Sequence, residues 1–230
     1  MVRPKRNTRQ ADLQEAIKDT AWKQIAQTGA AALSLRAIAR ELRITAPAIY
    51  NYFPRRDDLV MALIIDAYTS FGDSQLEARD ALAADDLDGR LHAIGVAYRR
   101  WAITHPQRYQ LIFGTPIPGY QAPAEQVFPA AARSLGVLVS VVDAFRAAGR
   151  LRVEAFPAVA PGYEAGFATW TRHAGDAHLI SLSISMLIWS RVHGLVSLEI
   201  AGSIPPFGVD GDELYLYELQ RVREQFTRSV

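Results

Sequence analysis

Apolar residues recur at steps of three and four along most of the chain, the spacing that gathers them on one face of a helix. Leu13, Ala16, Ile17, Ala21 and Ile25 mark a first helix over 8–28, with Gly29 as its stop. Ser34 is placed to cap a short helix through Leu42. Thr45 is placed to cap another, with Ile44 and Ile49 at the two positions of a hydrophobic staple. Pro47 falls in its first turn, where a missing N–H has no intrahelical partner to lose. After Pro54 a longer helix over 55–79 opens on Asp57 and Asp58 and carries the stripe Leu59, Leu63, Ile64, Ala67, Tyr68 and Phe71. Residues 87–104 form a further helix that His105-Pro106 ends. Tyr109, Ile112 and Phe113 follow, then a loop with Gly114, Pro116, Pro118, Gly119 and Pro123. A helix then runs to Gly149 with Pro129 as its kink or its start, and Pro157, Pro161 and Gly162 mark a second loop. The last element is a helix from about Asp212 to Arg228.

One segment has two periods. Ile180 to Met186 alternates apolar and polar, as a strand would. Over a longer window Leu179, Leu182, Met186, Trp189, His193, Val196 and Ile200 recur at steps of three and four, which makes it a helix. A second stripe, Ile184, Ile188, Arg191, Leu195 and Leu198, lies on another face. A helix apolar on two faces is buried on two sides, here its own core and a partner subunit. With the stripe Tyr215, Leu219, Val222 and Phe226 on the last helix, this predicts a homodimer built mainly from 178–202 and 212–228. The fold class is all-α.

Composition narrows the function. Half of the 230 residues are hydrophobic and 21% are charged, which suits a folded globular chain. There is no cysteine, so disulfide and thiolate chemistry are out. The N-terminus lacks a signal-peptide run and no uninterrupted apolar stretch approaches the ~20 residues of a membrane helix, so the expected place is the cytoplasm, away from any membrane. Charge is uneven. Residues 1–56 carry eleven Lys or Arg against four acids, net +7, whereas the remaining residues carry 14 Arg against 20 acids, net −6. A basic head on an acidic body points to a polyanion at the head, against the alternative of a solvated basic face. No Gly-rich phosphate loop, nucleophile elbow or metalloprotease motif is present, and the acid pairs Asp57/Asp58 and Asp85/Asp86 read as helix-start charges, so no enzyme and no cofactor are expected.

The stretch 33–59 holds the most information. It is two short helices on a tight turn, with Ile38, Ala39, Leu42, Ile44, Ile49 and Phe53 as the small core that sets their angle. The second helix is then free to enter a major groove N-terminus first. Tyr50 and Tyr52 offer hydroxyls to phosphates, Arg55 and Arg56 offer charge beside a helix start, and Arg36 can fork onto guanine. This stretch resembles the DNA-binding domain of the TetR/AcrR family of bacterial regulators, over about residues 10–60. The resemblance implies that Ser34 and Arg36 lie at the groove edge. It also implies that Thr45, Ala46, Pro47, Ala48 and Asn51 face bases or sugars, and that Tyr50, Tyr52 and Arg56 hold phosphates. Arg43 stands where the family commonly has Gly. A left-handed Arg there costs roughly 1 kcal/mol, so either the turn is rearranged or the charge serves against the DNA backbone.

These signals divide the chain into a three-helix helix-turn-helix DNA-binding domain over 1–56 and a helical effector-binding and dimerisation domain over 57–230. Trp189-x-x-x-His193-Gly194-Leu195 resembles the Trp-His-Gly signature of one C-terminal subgroup, with Trp and His on one helix face and Gly194 open to a close backbone approach. Candidate effector contacts are Tyr68, Phe71, Tyr98, Trp101, Tyr109, Phe113, Trp170, Trp189 and His193, each of which also fits as plain core. His173, Asp176 and His178 fit a solvated helix start better than a metal site. The favoured reading is a repressor that leaves a palindromic operator when an apolar or aromatic small molecule binds. The alternatives are a DNA-binding regulator without a small-molecule effector and, far behind, a helical enzyme with a vestigial head.

Overall fold

The computed structural model describes residues 6–157, 161–174, 177–204 and 211–228, with side chains from residue 12 onward except at 161, 163, 169 and 172–174. Among these residues lie ten α-helices: α1 Arg6–Thr28, α2 Leu35–Glu41, α3 Ala46–Tyr50, α4 Arg56–Asp80, α5 Leu87–Thr104, α6 Pro106–Phe113, α7 Ala124–Ala147, α8 Pro161–Ala174, α9 Leu179–Ile200 and α10 Gly211–Phe226. No strand occurs among them, only an isolated antiparallel bridge between Leu151 and Thr227. The all-α expectation holds. The chain forms two compact units, one of residues up to Ala67 with Gln107–Val127, the other of Tyr68–Pro106 with Phe128 onward.

In the first unit Ile17, Ala21 and Ile25 of α1 are buried together with Ile38 and Ala39 of α2, Ile49 of α3 and Leu59 and Leu63 of α4. Tyr109 of α6 is buried as well. Two polar contacts fasten this core at its edge. Lys18 Nζ donates to Asp66 at 2.7 Å, tying α1 to α4. The Arg108 guanidinium lies 5.1 Å from the Trp22 ring centroid, tying α6 to α1.

The turn after α2 is not rearranged. Arg43 N–H donates to Arg40 O at 3.2 Å and Ile44 N–H donates to Ala39 O at 2.9 Å, the paired bonds of a Schellman stop. That stop needs a left-handed residue, and Arg43 has φ 55°. For a side-chain-bearing residue this conformation costs about 1–2 kcal/mol.

In the second unit α5, α7, α9 and α10 meet around Ile94, Val141, Val142, Phe145, Ile184, Ile188, Val222 and Phe226. Phe167 of α8 packs beside Val139 and Leu182. Polar groups lock the helices to one another. The Arg99 fork grips both carboxylate oxygens of Glu199, at 2.6 and 2.8 Å, and also reaches Asp212, so that α5, α9 and α10 share one cation. Asp143 on α7 accepts from Arg146, from the Ser181 hydroxyl and from the His178 N–H, and these bonds pull its pKa down to about 2.

Three expectations need correction. Pro161 and Gly162 do not sit in a loop; they open α8, where proline suits a first turn. The stripe Tyr215, Leu219, Val222 and Phe226 is the core face of α10, each residue 8% exposed or less, so it has nothing left for a partner subunit. The apolar residues that α9 and α10 leave outward are Leu187, Leu198, Leu214, Leu216 and Tyr217. Finally, α7 and α9 do reach the length and hydropathy of a membrane span. Both helices contribute to the core of the second unit and α9 buries Ser181, Ser183 and Ser185 along with its aliphatics, so their length and composition alone are no evidence for a membrane.

Gly95 shows how tightly α5 and α10 meet. Tyr215 Oη donates to Gly95 O at 2.8 Å, and a Cβ at Gly95 would lie 2.5 Å from Leu219 Cδ2. Gly95→Val should therefore cost about 1–3 kcal/mol by overpacking, read as a lower urea midpoint at unchanged slope.

Candidate functional site

Helices of five and seven residues are too short to stand alone, so each is held at its ends. Ser34 Oγ accepts the Ala37 N–H at 3.4 Å and Thr45 Oγ1 accepts the Ala48 N–H at 3.4 Å, as their spacing leads one to expect. Gln24 Oε1 of α1 takes the Ser34 N–H at 3.3 Å, which ties the start of α2 to the first helix. Both capping hydroxyls accept with a lone pair and keep their own proton to donate.

With Ile38, Ala39 and Ile49 turned inward, the opposite faces of α2 and α3 are left in solvent. Arg36, Thr45, Ala46, Pro47, Tyr50 and Asn51 are exposed there, and Ser34, Ala48 and Tyr52 are half-buried. The sequence signals missed Arg40, also exposed, one helical turn beyond Arg36. Arg36, Arg40 and Arg43 form no ion pair among the described residues.

Arg55 and Arg56 have other tasks. Asp58 Oδ2 accepts the Arg55 backbone N–H at 2.9 Å, which caps α4, and its carboxylate is held by the Arg55 guanidinium at 2.7 Å. That guanidinium pulls the Asp58 pKa below the usual carboxylate range. Arg55 remains three-quarters exposed and can still meet an anion. Arg56 has structural partners that its place in the sequence does not suggest. Its Nε donates to Leu33 O at 3.2 Å, and one Nη donates to Ala30 O at 2.8 Å and Ala31 O at 3.0 Å. Two of its three nitrogens thus brace the carbonyls of the turn between α1 and α2, and Nη1 lies 3.6 Å from Asp57.

The aromatic candidates are distributed over the two units. Within the second unit Phe71 packs edge-on against Tyr98, centroids 4.9 Å apart, and tilted against Trp101 at the same distance. Trp101 Nε1 donates to Ser70 Oγ at 3.0 Å. Tyr98 Oη bonds His193 Nδ1 at 2.8 Å, and Trp189 stacks on the His193 ring at 4.7 Å. Burial holds the His193 pKa below its ordinary value and raises that of Tyr68. Trp170 packs against Phe128 at 4.8 Å, and Tyr109 packs against Phe113 at 5.1 Å in the first unit. The Asp176 position and the His173 side chain lie outside the described residues. His178 Nδ1 accepts the Ile180 N–H and so caps α9.

Residues 17–63 match the family described as bacterial regulatory proteins, tetR family, and residues 91–222 match the Tetracyclin repressor-like C-terminal domain. The chain belongs to the TetR family. It is 34% identical over 214 residues to the HTH-type transcriptional regulator Rv1816 of Mycobacterium tuberculosis, across 90% of this chain and 87% of that one. Among solved structures it is similar to SCO4313, at 37% identity and a TM-score of 0.77 over 95% of this chain and 98% of that one. A protein of unknown function from Rhodococcus sp. RHA1 shares the fold, with 21% identity and a TM-score of 0.73 over 94% of this chain and 96% of that one. This TetR-family chain is a DNA-binding transcriptional regulator and not an enzyme.

The brace at Arg56 has a testable consequence. Arg56→Gln removes the charge and most of the fork, so it should cost about 1–3 kcal/mol of stability while leaving the salt slope of DNA binding as it was. Urea denaturation paired with a salt titration of binding separates the two effects.

Proposed function

We propose that this regulator represses transcription as a cytoplasmic homodimer on a palindromic operator and is released by an apolar or aromatic small molecule. The observation that carries the DNA half of this reading is the exposed surface of α3, held beside Arg36 by two capped, cored helices. In this reading Thr45, Ala46, Pro47, Ala48 and Asn51 meet base edges or sugars, and Ser34, Tyr50, Tyr52 and Arg55 meet phosphates. Arg36 reads a guanine. Alanine and proline can touch thymine methyls and cannot discriminate by hydrogen bonding, so Arg36 and DNA shape carry the specificity.

Support for the dimer comes from α9. Leu187, Ser190, Gly194 and Leu198 follow one another at steps of three and four along a face turned away from the core, and two of them are exposed leucines. Outside its own stretch of helix, no described atom lies within 4 Å of a Cβ built at Gly194, so no described neighbour requires its smallness. A second copy of the same face is the partner that uses it.

Support for an effector comes from the Phe71, Tyr98, Trp101, Trp189 and His193 group on α4, α5 and α9. Helix α4 gives Leu59 and Leu63 to the first unit and Phe71 to the second, so a ligand that displaces Phe71 acts on the element that begins in the DNA-binding head. The same contacts favour a second reading. The rings pack on one another and Tyr98 is bonded to His193, so the group also suits a filled core in a regulator without an effector.

Footprinting on DNA upstream of the protein's own gene tests the operator, with a protected palindrome expected. Arg36→Ala should cost roughly 1–3 kcal/mol and relax preference at one base pair per half-site. Unchanged discrimination would remove Arg36 from base reading. Gly194→Phe should lower dimer affinity in sedimentation without changing the helical content, and a wild-type chain that sediments as a monomer at micromolar concentration would end the dimer proposal. An effector must bind operator-bound protein more weakly, by a factor of about 5–150. Equal affinity with and without DNA would favour the second reading.

A further inference from the structure

Among the described residues three helices end in the same hydrogen-bond pattern. After α7, Gly149 N–H bonds Arg146 O and Arg150 N–H bonds Phe145 O, at 3.0 and 2.8 Å. After α9, Gly202 N–H bonds Glu199 O and Ser203 N–H bonds Leu198 O, at 3.0 and 2.8 Å. After α2, Arg43 and Ile44 make the equivalent bonds. All three stops put a residue in the left-handed region, at φ 68°, 62° and 55°. Glycine takes the first two, as sterics prefer. Arginine takes the third and is the one side-chain-bearing residue with positive φ among the described residues.

Among the described residues nothing uses that side chain. Arg43 is exposed and forms no ion pair or side-chain hydrogen bond with any described residue. It sits in the turn between α2 and α3, and Arg36 and Arg40 lie exposed on α2 at steps of four and three before it. Strain kept at a position where the fold gains nothing marks a functional residue. The three cations stand on the head of net charge +7, on the helix pair that meets DNA.

We propose that Arg43 is a DNA-backbone anchor, its guanidinium contacting a phosphate beside the groove that α3 enters. The strained turn throws the side chain out past the end of α2, where a glycine would leave the phosphate unneutralised. Arg36 then reads sequence, and Arg43 adds affinity that is independent of sequence and sensitive to salt. The assignment rests on the DNA-binding reading and adds a residue that reading does not include.

Arg43→Gly is a clean test because it installs the residue the stop prefers, so the variant folds. The folded-to-unfolded ratio should rise about fivefold. Binding to a mixed-sequence DNA duplex, followed by fluorescence anisotropy over a salt series, should weaken, with the slope of log K on log salt smaller by about 0.9 for each Arg43 engaged. Arg43→Lys should restore the slope. A glycine variant that binds with wild-type affinity and slope would overturn the assignment, and so would weaker binding at an unchanged slope, which would mean that the residue shapes the turn. A wild-type chain that fails to bind the duplex at low salt would instead overturn the DNA-binding reading beneath it.

Discussion

Two helices of seven and five residues have no stability of their own, and everything the head does depends on holding them at a fixed angle. Side-chain caps hold both N-termini, and the Schellman bonds close the C-terminus of α2. Ile38 and Ile49 are fully buried between the helices, so no rotation about either axis is free. The result is a small rigid platform whose polar and cationic side chains point outward because every inward position is taken.

The platform is itself held from outside. Arg56 reaches across from the start of α4 to the carbonyls of Ala30, Ala31 and Leu33, just before the Ser34 cap. A backbone turn that ends a helix leaves carbonyls in need of donors, and a guanidinium supplies several in one plane. Gln24 supplies the acceptor for the Ser34 N–H from the other side. The entry to α2 is therefore fixed by α1 and α4 together, and Lys18 with Asp66 fixes those two to each other further along. Positive charge at this corner is structural at Arg56 and free at Arg36, Arg40 and Arg43.

Much of this was legible in the sequence where a local rule decides the structure. Residues 87–104 are helical to the residue because Asp86 caps the start and His105-Pro106 ends it. Ser34 and Thr45 cap as their spacing indicates. Where periodicity had to be assigned to a partner, the sequence was silent. The Tyr215 to Phe226 stripe shows that one face of α10 is apolar, and only packing shows that the chain's own core uses it. Pro161 carries the same letter whether it breaks a loop or opens a helix. Arg56 looks like Arg55 in the sequence, because its partners are carbonyls that no side-chain pattern announces. Ring partners separated by some hundred residues, such as Tyr98 and His193, are equally invisible before the fold is known.

The central claim is that the α2–α3 surface is where the protein meets DNA. Hydrogen exchange of backbone amides, measured with and without a DNA duplex, tests it most directly. The account predicts slower exchange over 34–53 when DNA is bound, with little change in the core of α5, α7 and α10. Unchanged exchange over 34–53 with protection appearing only elsewhere would contradict it.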